Sequence, residues 1–208
     1  AASDVYKRQI VIGSFNIAEK EELEEIQFPP THWIMMGLHG RGNYNSDDFW
    51  FTVNSGNYEQ KKKANIEEIK KRVSDYGLYG NIQHLAVKLS WTWWDGTYMI
   101  GYYIKKGSDS MLRNFICHSK TFKIYCTVFH VSLLFSIIYS FIRGAFSKRI
   151  NREILLKIIF CGIYFFLVIW ESRSRYLVNF TPFFLMIFAG TIRDISNFYS
   201  VRLSLIHI

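Results

Sequence analysis

Apolar residues are unevenly spread along this chain. Up to about Lys120 they are mixed with polar ones, whereas Thr121–Ile192 is mostly apolar. Three runs in the second part are candidates for membrane-spanning helices: Phe122–Ile142, Ile154–Trp170 and Tyr176–Ile192. At about 1.5 Å per residue, the first is long enough to cross a hydrocarbon core of roughly 30 Å. The second is short but extendable at both ends. The third is also short and holds Pro182 inside it, which is tolerated where neighbouring helices satisfy the carbonyl it frees. The pattern predicts a mainly α polytopic membrane protein, with about three transmembrane helices after a mostly helical extracytoplasmic segment.

The polar part divides further. Ile10–Glu25 starts apolar and turns acidic, reading as an extended tail and then a short helix. Pro29-Pro30 forces extended backbone. Thr31–Leu38 is an apolar run too short to span a bilayer, and reads as a buried strand or a helix start. Gly40–Asp48 is dense in Gly, Asn and Asp, which marks a turn-rich loop. Ile66, Ile69, Val73 and Tyr76 fall on one face of a helix over Asn57–Tyr76, with Gly77 as its stop. Lys61–Lys63, Glu67, Glu68, Lys70 and Lys71 then form its solvated face. A second helix is expected over Asn81–Trp94, with Asn81 as N-cap, Ile82, Leu85, Leu89 and Trp93 on one face, and Gly96 closing it. Trp91, Trp93, Trp94, Tyr98, Tyr102 and Tyr103 crowd its end. Such rings suit either the bilayer interface or an aromatic core.

Composition sharpens this picture. Of 208 residues, 50% are hydrophobic and 18% aromatic, yet 20% are charged, so the average hides two different halves. The net charge of +8 would suit nucleic acid, but no nucleic-acid motif accompanies it. Much of the charge sits in the lysine-rich helix and in the loop with Arg143, Lys148, Arg149 and Arg152, between the first two spans. Against a single acid there, Glu153, that loop should be cytoplasmic. After the third span come Arg193, Arg202 and Asp194. This topology places 10–120 and 171–176 on the outer side.

Most candidate chemistry is weak. Cys117, Cys126 and Cys161 have no CxxC spacing and read as buried thiols. His32, His39, His84 and His118 lack metal-ligand spacing, so no metal ligands are assigned. The glycines of 37–42 fit neither a dinucleotide fingerprint nor a Walker loop. The Asn179–Thr181 sequon lies within a span, where it cannot be used. Asp47-Asp48 suits a cation, a sugar hydroxyl or a solvated turn. Asp95-Gly-Thr-Tyr98 follows the tryptophan cluster, where an acid beside aromatic rings suits a sugar, or a C-cap turn anchors the helix.

The remaining feature is Glu171-Ser-Arg-Ser-Arg-Tyr176, the only break between two strongly apolar runs. Charges held between spans are costly and mark a headgroup- or substrate-facing site. The plain alternative is an interfacial hairpin whose arginines snorkel to lipid phosphates.

Four motifs occur in order: Pro30-Thr-His-Trp-Ile-Met-Met-Gly-Leu38, Gly42-Asn-Tyr-Asn-Ser-Asp-Asp48, Trp94-Asp-Gly-Thr-Tyr98 and Glu171–Tyr176. Together they resemble the C-terminal half of GT-C superfamily membrane glycosyltransferases, of the protein-mannosyltransferase-like, glycosyltransferase family 39-like type of Gram-positive bacteria. The resemblance covers nearly all of Ile10–Arg202. Gly42-Asn43 departs from it, since two glycines are expected before Tyr-Asn. It implies a multi-pass enzyme of the bacterial cytoplasmic membrane that moves a sugar from a polyprenyl-phosphate donor to a cell-envelope acceptor at the outer face. Membrane lipids and the lipid-linked sugar are then the partners, and nucleic acid is not. No cofactor is assigned beyond that donor, and divalent-cation dependence stays open.

The family's catalytic acid lies in a first outer loop nearer the N-terminus, so no catalytic residue is carried over to this sequence. Arg173 and Arg175, with Glu171 and Tyr176, are the candidates for the donor phosphate, since guanidinium forks match phosphate oxygens. Asp95, Tyr98, Tyr44 and Asn45 are candidates for sugar or acceptor contacts. Ala1–Gln9 and Leu203–Ile208 resemble translated adaptor sequence, and the chain is expected to be an inactive C-terminal fragment. The competing expectation is a non-catalytic membrane scaffold or lipid-flipping component.

Overall fold

The computed structural model of the chain describes residues 26–104, 110–146 and 154–206. The expected foreign N-terminal segment, the acidic stretch before residue 26, and Lys148, Arg149, Arg152 and Glu153 lie outside the described residues. The elements are α1 (Pro30–Gly37), α2 (Ser46–Val53), α3 (Tyr58–Trp93), α4 (Ile100–Ile104), α5 (Met111–His118), α6 (Lys120–Phe146), α7 (Ile154–Ile169), a 3-10 helix (Ser174–Phe180) and α8 (Thr181–Ile206). No strand occurs among the described residues. The run from Thr31, open between strand and helix, is therefore helical, and it begins at Pro30, where a proline needs no hydrogen-bonded N–H. Ser46–Asp48, expected in a loop, form the first turn of α2. Asn45 caps that turn by accepting from the Asp47 and Asp48 amides at 2.7 and 3.1 Å.

The chain forms two compact units, residues 26–86 with 169–171, and residues 87–168 with 172–206. In the first unit α3 keeps Ile66, Ile69 and Tyr76 of the apolar stripe half-buried and departs from it at Val73 and Lys61. Val73 is exposed, whereas Lys61 (2% exposed) and Asn65 are buried, with Arg72 and Tyr76 on the same side. The reason is the neighbour they meet. Helix α1 ends with carbonyls that have no partner within the helix. Three α3 side chains supply one: Arg72 Nη1 donates to Met35 O at 2.9 Å, Tyr76 OH to Leu38 O at 3.0 Å, and His84 Nε2 to Gly37 O at 3.1 Å. A polar face must therefore turn inward, and apolar residues such as Leu78 (83% exposed) and Ile82 (60%) turn out.

Gly77 does break α3, as expected, with φ 58° and ψ −173°. Asn81 does not act as the N-cap. Its Nδ2 donates to Val73 O and Gly77 O, at 2.8 and 2.6 Å, and so satisfies carbonyls of the preceding turn.

The second unit holds the apolar core. Leu133 and Ile137 of α6, Ile163 and Leu167 of α7, Leu177 of the 3-10 helix, and Phe184 and Ile187 of α8 pack together, with Trp93 and Tyr98 against them. Among the described residues two helices are long and apolar enough to cross a membrane, Lys120–Phe146 (27 residues) and Ser174–Asn197 (24 residues). Ile154–Ile169 is a shorter apolar helix of 16 residues. Pro182, expected inside the third span, sits in the first turn of α8, where the preceding 3-10 helix has already displaced the α pattern. Arg143 and Asp194, counted with the loops in the sequence, lie on α6 and α8 and pair at 2.8 Å.

Two buried lysines here bond to backbone carbonyls of neighbouring helices, one of them in the last turn of α7. Lys88 (1% exposed) is buried where Ile82 of the expected face is exposed and Leu89 half-buried, and it donates to Val168 O of α7 at 2.9 Å. Lys157 donates to Ser140 O of α6 at 2.7 Å.

Candidate functional site

In the second unit the Asp95–Met99 turn and the 172–176 segment meet. Gly96 makes the turn possible. A Cβ there would lie 2.3 Å from Cys126 O and 2.7 Å from Thr127 Cα, so only glycine lets the turn rest on the α6 backbone. Tyr98 and Met99 follow with φ 52° and 61°, a left-handed conformation uncommon for such residues. Asp95 holds it in place. Its Oδ1 accepts from the Thr97 amide (3.0 Å) and hydroxyl (2.6 Å), and its Oδ2 from the Met99 amide (3.0 Å) and the Ser174 hydroxyl (2.8 Å). Burial pushes the Asp95 pKa up, but these four donors bring it below the ordinary value, so the group is a carboxylate at neutral pH.

The turn places Tyr98 against α6. Its hydroxyl lies 2.9 Å from His130 Nδ1, and His130 Nε2 donates to Trp93 O at 3.0 Å. With that donation fixing the ring proton on Nε2, Nδ1 accepts the Tyr98 proton. Burial, with the Asp95 charge adding to it, holds the Tyr98 pKa above its usual value, although the Thr181 hydroxyl 3.4 Å away works in the other direction. Tyr98 is thus a neutral donor.

The hairpin is fixed at two further points. Ser172 Oγ lies 2.8 Å from Thr92 Oγ1, both buried. Arg175 bonds to the hydroxyl of Tyr103 and, at 3.3 Å, to that of Tyr176. Its guanidinium carbon is 5.4 Å and 5.0 Å from the centroids of those two rings. Cation–π contact of this kind holds a guanidinium without neutralising its charge. Arg173 is half-buried in extended backbone at φ −148°. The expected residues Asp95, Tyr98, Arg175 and Tyr176 therefore share one unit, and Asp95 is a structural clamp whose lone pairs are already used.

The other candidates are carried by the first unit. Glu171 is buried there, accepting from the Tyr44 amide at 3.1 Å while its own amide donates to Trp33 O at 3.0 Å. The same unit holds a network that the sequence did not suggest. Asp48, read as part of a turn, is 2% exposed and is gripped by Arg72, with His39 Nδ1 3.0 Å from Oδ2. The helical spacing of Lys61, Asn65, Glu68, Arg72 and Tyr76 was the signal that a polar face could be buried. His130 and Thr92 carry no periodic sign among apolar and aromatic neighbours, and Ser174 is overshadowed by the arginines on either side of it.

Among the described residues, no group of three or more His, Cys, Asp or Glu side chains is placed to hold a metal ion. What the second unit offers is a cation over aromatic rings and a neutral tyrosine whose oxygen can still accept, beside the Asp95 clamp. That chemistry suits an anionic, hydroxyl-bearing ligand.

No curated protein and no solved structure matches the chain. A family model described as "Conserved hypothetical integral membrane protein" matches residues 18–195. With two long apolar helices and a shorter one in a mainly α fold, the chain belongs to this family of integral membrane proteins.

Proposed function

We propose that this chain is the C-terminal part of a membrane glycosyltransferase that takes a sugar from a polyprenyl-phosphate donor at the outer face of the bacterial cytoplasmic membrane. The observation that supports this most is the Arg175 guanidinium held over Tyr103 and Tyr176, beside the start of a membrane-spanning helix. A lipid phosphate presents its charge at headgroup level. A guanidinium there would bind the phosphate and stabilise the negative charge that grows on it as the sugar leaves. Arg173 is the second cation of the same segment. Tyr98, whose proton goes to His130, is proposed as an acceptor from a sugar hydroxyl. Glu171, Tyr44 and Asn45, in the first unit, are proposed for sugar or acceptor hydroxyls. Residues 10–120 and 171–176 would be extracytoplasmic. The acceptor would be a cell-envelope component, and the catalytic acid is expected upstream of this sequence.

The test uses a full-length homologue in proteoliposomes with a polyprenyl-phosphate sugar. Arg175→Ala should reduce transfer by about 10²-fold, the scale for removing a donor to a developing oxyanion. Arg175→Lys should recover part of it. If Arg173→Ala and Arg175→Ala both leave donor binding and transfer unchanged, the reading is wrong. If the complete wild-type protein transfers no sugar, the alternative of a scaffold or lipid-flipping component gains.

A further inference from the structure

A cavity of about 480 Å³ opens between the turn after Thr97, α4, α5 and the first turn of α6. All of its walls belong to the second unit. Its volume falls in the range of small-ligand sites, roughly 300–1,000 Å³. It is separate from the Arg175 contacts, and its chemistry stands whether or not the protein transfers a sugar.

The lining divides by chemistry. Met99, Ile100 and Ile116 are apolar, whereas Lys123 and His118 supply polar ends, and among the described residues no carboxylate lines the cavity. Among the described residues Lys123 has no ionic partner. His118 Nδ1 donates to Asn114 O at 3.2 Å, so in the neutral ring Nε2 is an acceptor. Cys117 also lines the cavity, with Sγ 3.7 Å from Gly101 O. Lys123 stands in the first turn of α6, a 27-residue helix long and apolar enough to cross a membrane, whose ends would lie near the headgroups of a core of roughly 30 Å. From there Ile124, Tyr125 and Val128 are exposed along α6 and provide an apolar wall.

A cation, a hydroxyl acceptor and an apolar wall that continues into the bilayer are complementary to one kind of molecule. We propose that this cavity binds the headgroup of an anionic phospholipid with a hydroxylated headgroup. The Lys123 ammonium meets the phosphodiester, His118 Nε2 accepts from a headgroup hydroxyl, and the acyl chains lie along the Ile124–Val128 face. The site would fix the depth of α6 in the membrane and make the α4–α6 region sensitive to lipid composition.

Cys117 gives a direct readout. The full chain, with Cys126→Ser and Cys161→Ser, is purified in a neutral detergent, and the rate of alkylation of Cys117 by a small maleimide is followed. Phosphatidylglycerol should slow alkylation about fivefold or more at saturation, because the bound state excludes the reagent. Diacylglycerol and inorganic phosphate at equal concentration should not. Lys123→Ala should abolish the protection and Lys123→Arg should keep it, with circular dichroism checking that each variant is folded. Equal protection by diacylglycerol, or protection that survives Lys123→Ala, would overturn the proposal. Protection by inorganic phosphate alone would assign the cavity to free phosphate and overturn the lipid as its occupant.

Discussion

Arg72 grips Asp48 with both terminal nitrogens of its guanidinium, at 2.7 and 3.1 Å, while its Nε bonds Glu68 at 2.9 Å. One nitrogen also reaches Met35 O, so a single side chain joins α1, α2 and α3. Asp48 is buried, and removing one partner would leave the other charge without compensation. Asp48→Asn or Arg72→Met should each cost about 3 kcal/mol. Arg72→Met with Asp48→Asn should cost clearly less than the sum of the two. A double-mutant cycle from chemical unfolding in detergent measures the coupling, and additive losses would show that the pair acts independently.

His32 makes the same unit sensitive to mild acid. It is fully buried, and burial lowers its pKa from 6.5 to about 4, with the Asp48 charge opposing part of the shift. The unfolded chain then binds a proton that the folded chain refuses, so stability rises with pH through this window. The contribution is complete above about pH 6.5 and falls away toward pH 4, by about 3 kcal/mol in all. Asp48 acts lower down. Burial raises its pKa, but Arg72 and His39 bring it below 3.8, and its stabilisation is lost only as pH falls through that depressed value. Melting curves from pH 7 to 4 should therefore slope more steeply for wild type than for His32→Gln. Parallel curves would remove His32 as the cause.

Gly96 is the sharpest steric requirement of the second unit. The atoms that a methyl group would meet are the backbone of Cys126 and Thr127, which cannot rotate away. Gly96→Ala should cost about 3 kcal/mol or more, since overpacking here displaces backbone. Gly162, whose added Cβ meets nothing within 4 Å, is the control. Gly162→Ala should stay within about 1 kcal/mol of wild type. Comparable melting temperatures for the two variants would show that the turn does not rest on α6 as described.

The candidate site was partly legible because its residues are chemically conspicuous. Two arginines between apolar runs, and an acid after three tryptophans, stand out without any knowledge of contacts. Their roles were not legible. Asp95 read as a sugar ligand or a cap, and only its four donors make it the clamp of a left-handed turn. Glu171 stands next to the arginines in sequence, yet it belongs with Tyr44 to the first compact unit, where its carboxylate accepts from the Tyr44 amide.

The sequence by itself determined the spanning helices and the break at Gly77. Both are local: a long apolar run forms a helix wherever lipid surrounds it, and glycine alone is at ease at φ 58°. Tertiary structure decided which face of α3 turns inward. Apolar periodicity grouped Ile66, Ile69, Val73 and Tyr76 on one face, but the carbonyls at the end of α1 also take side-chain donors from α3. Arg72, Tyr76 and His84 can meet them and isoleucine cannot. Burying a polar group is favourable only where its partner waits, and the position of that partner is not written in the periodicity of the helix that supplies it.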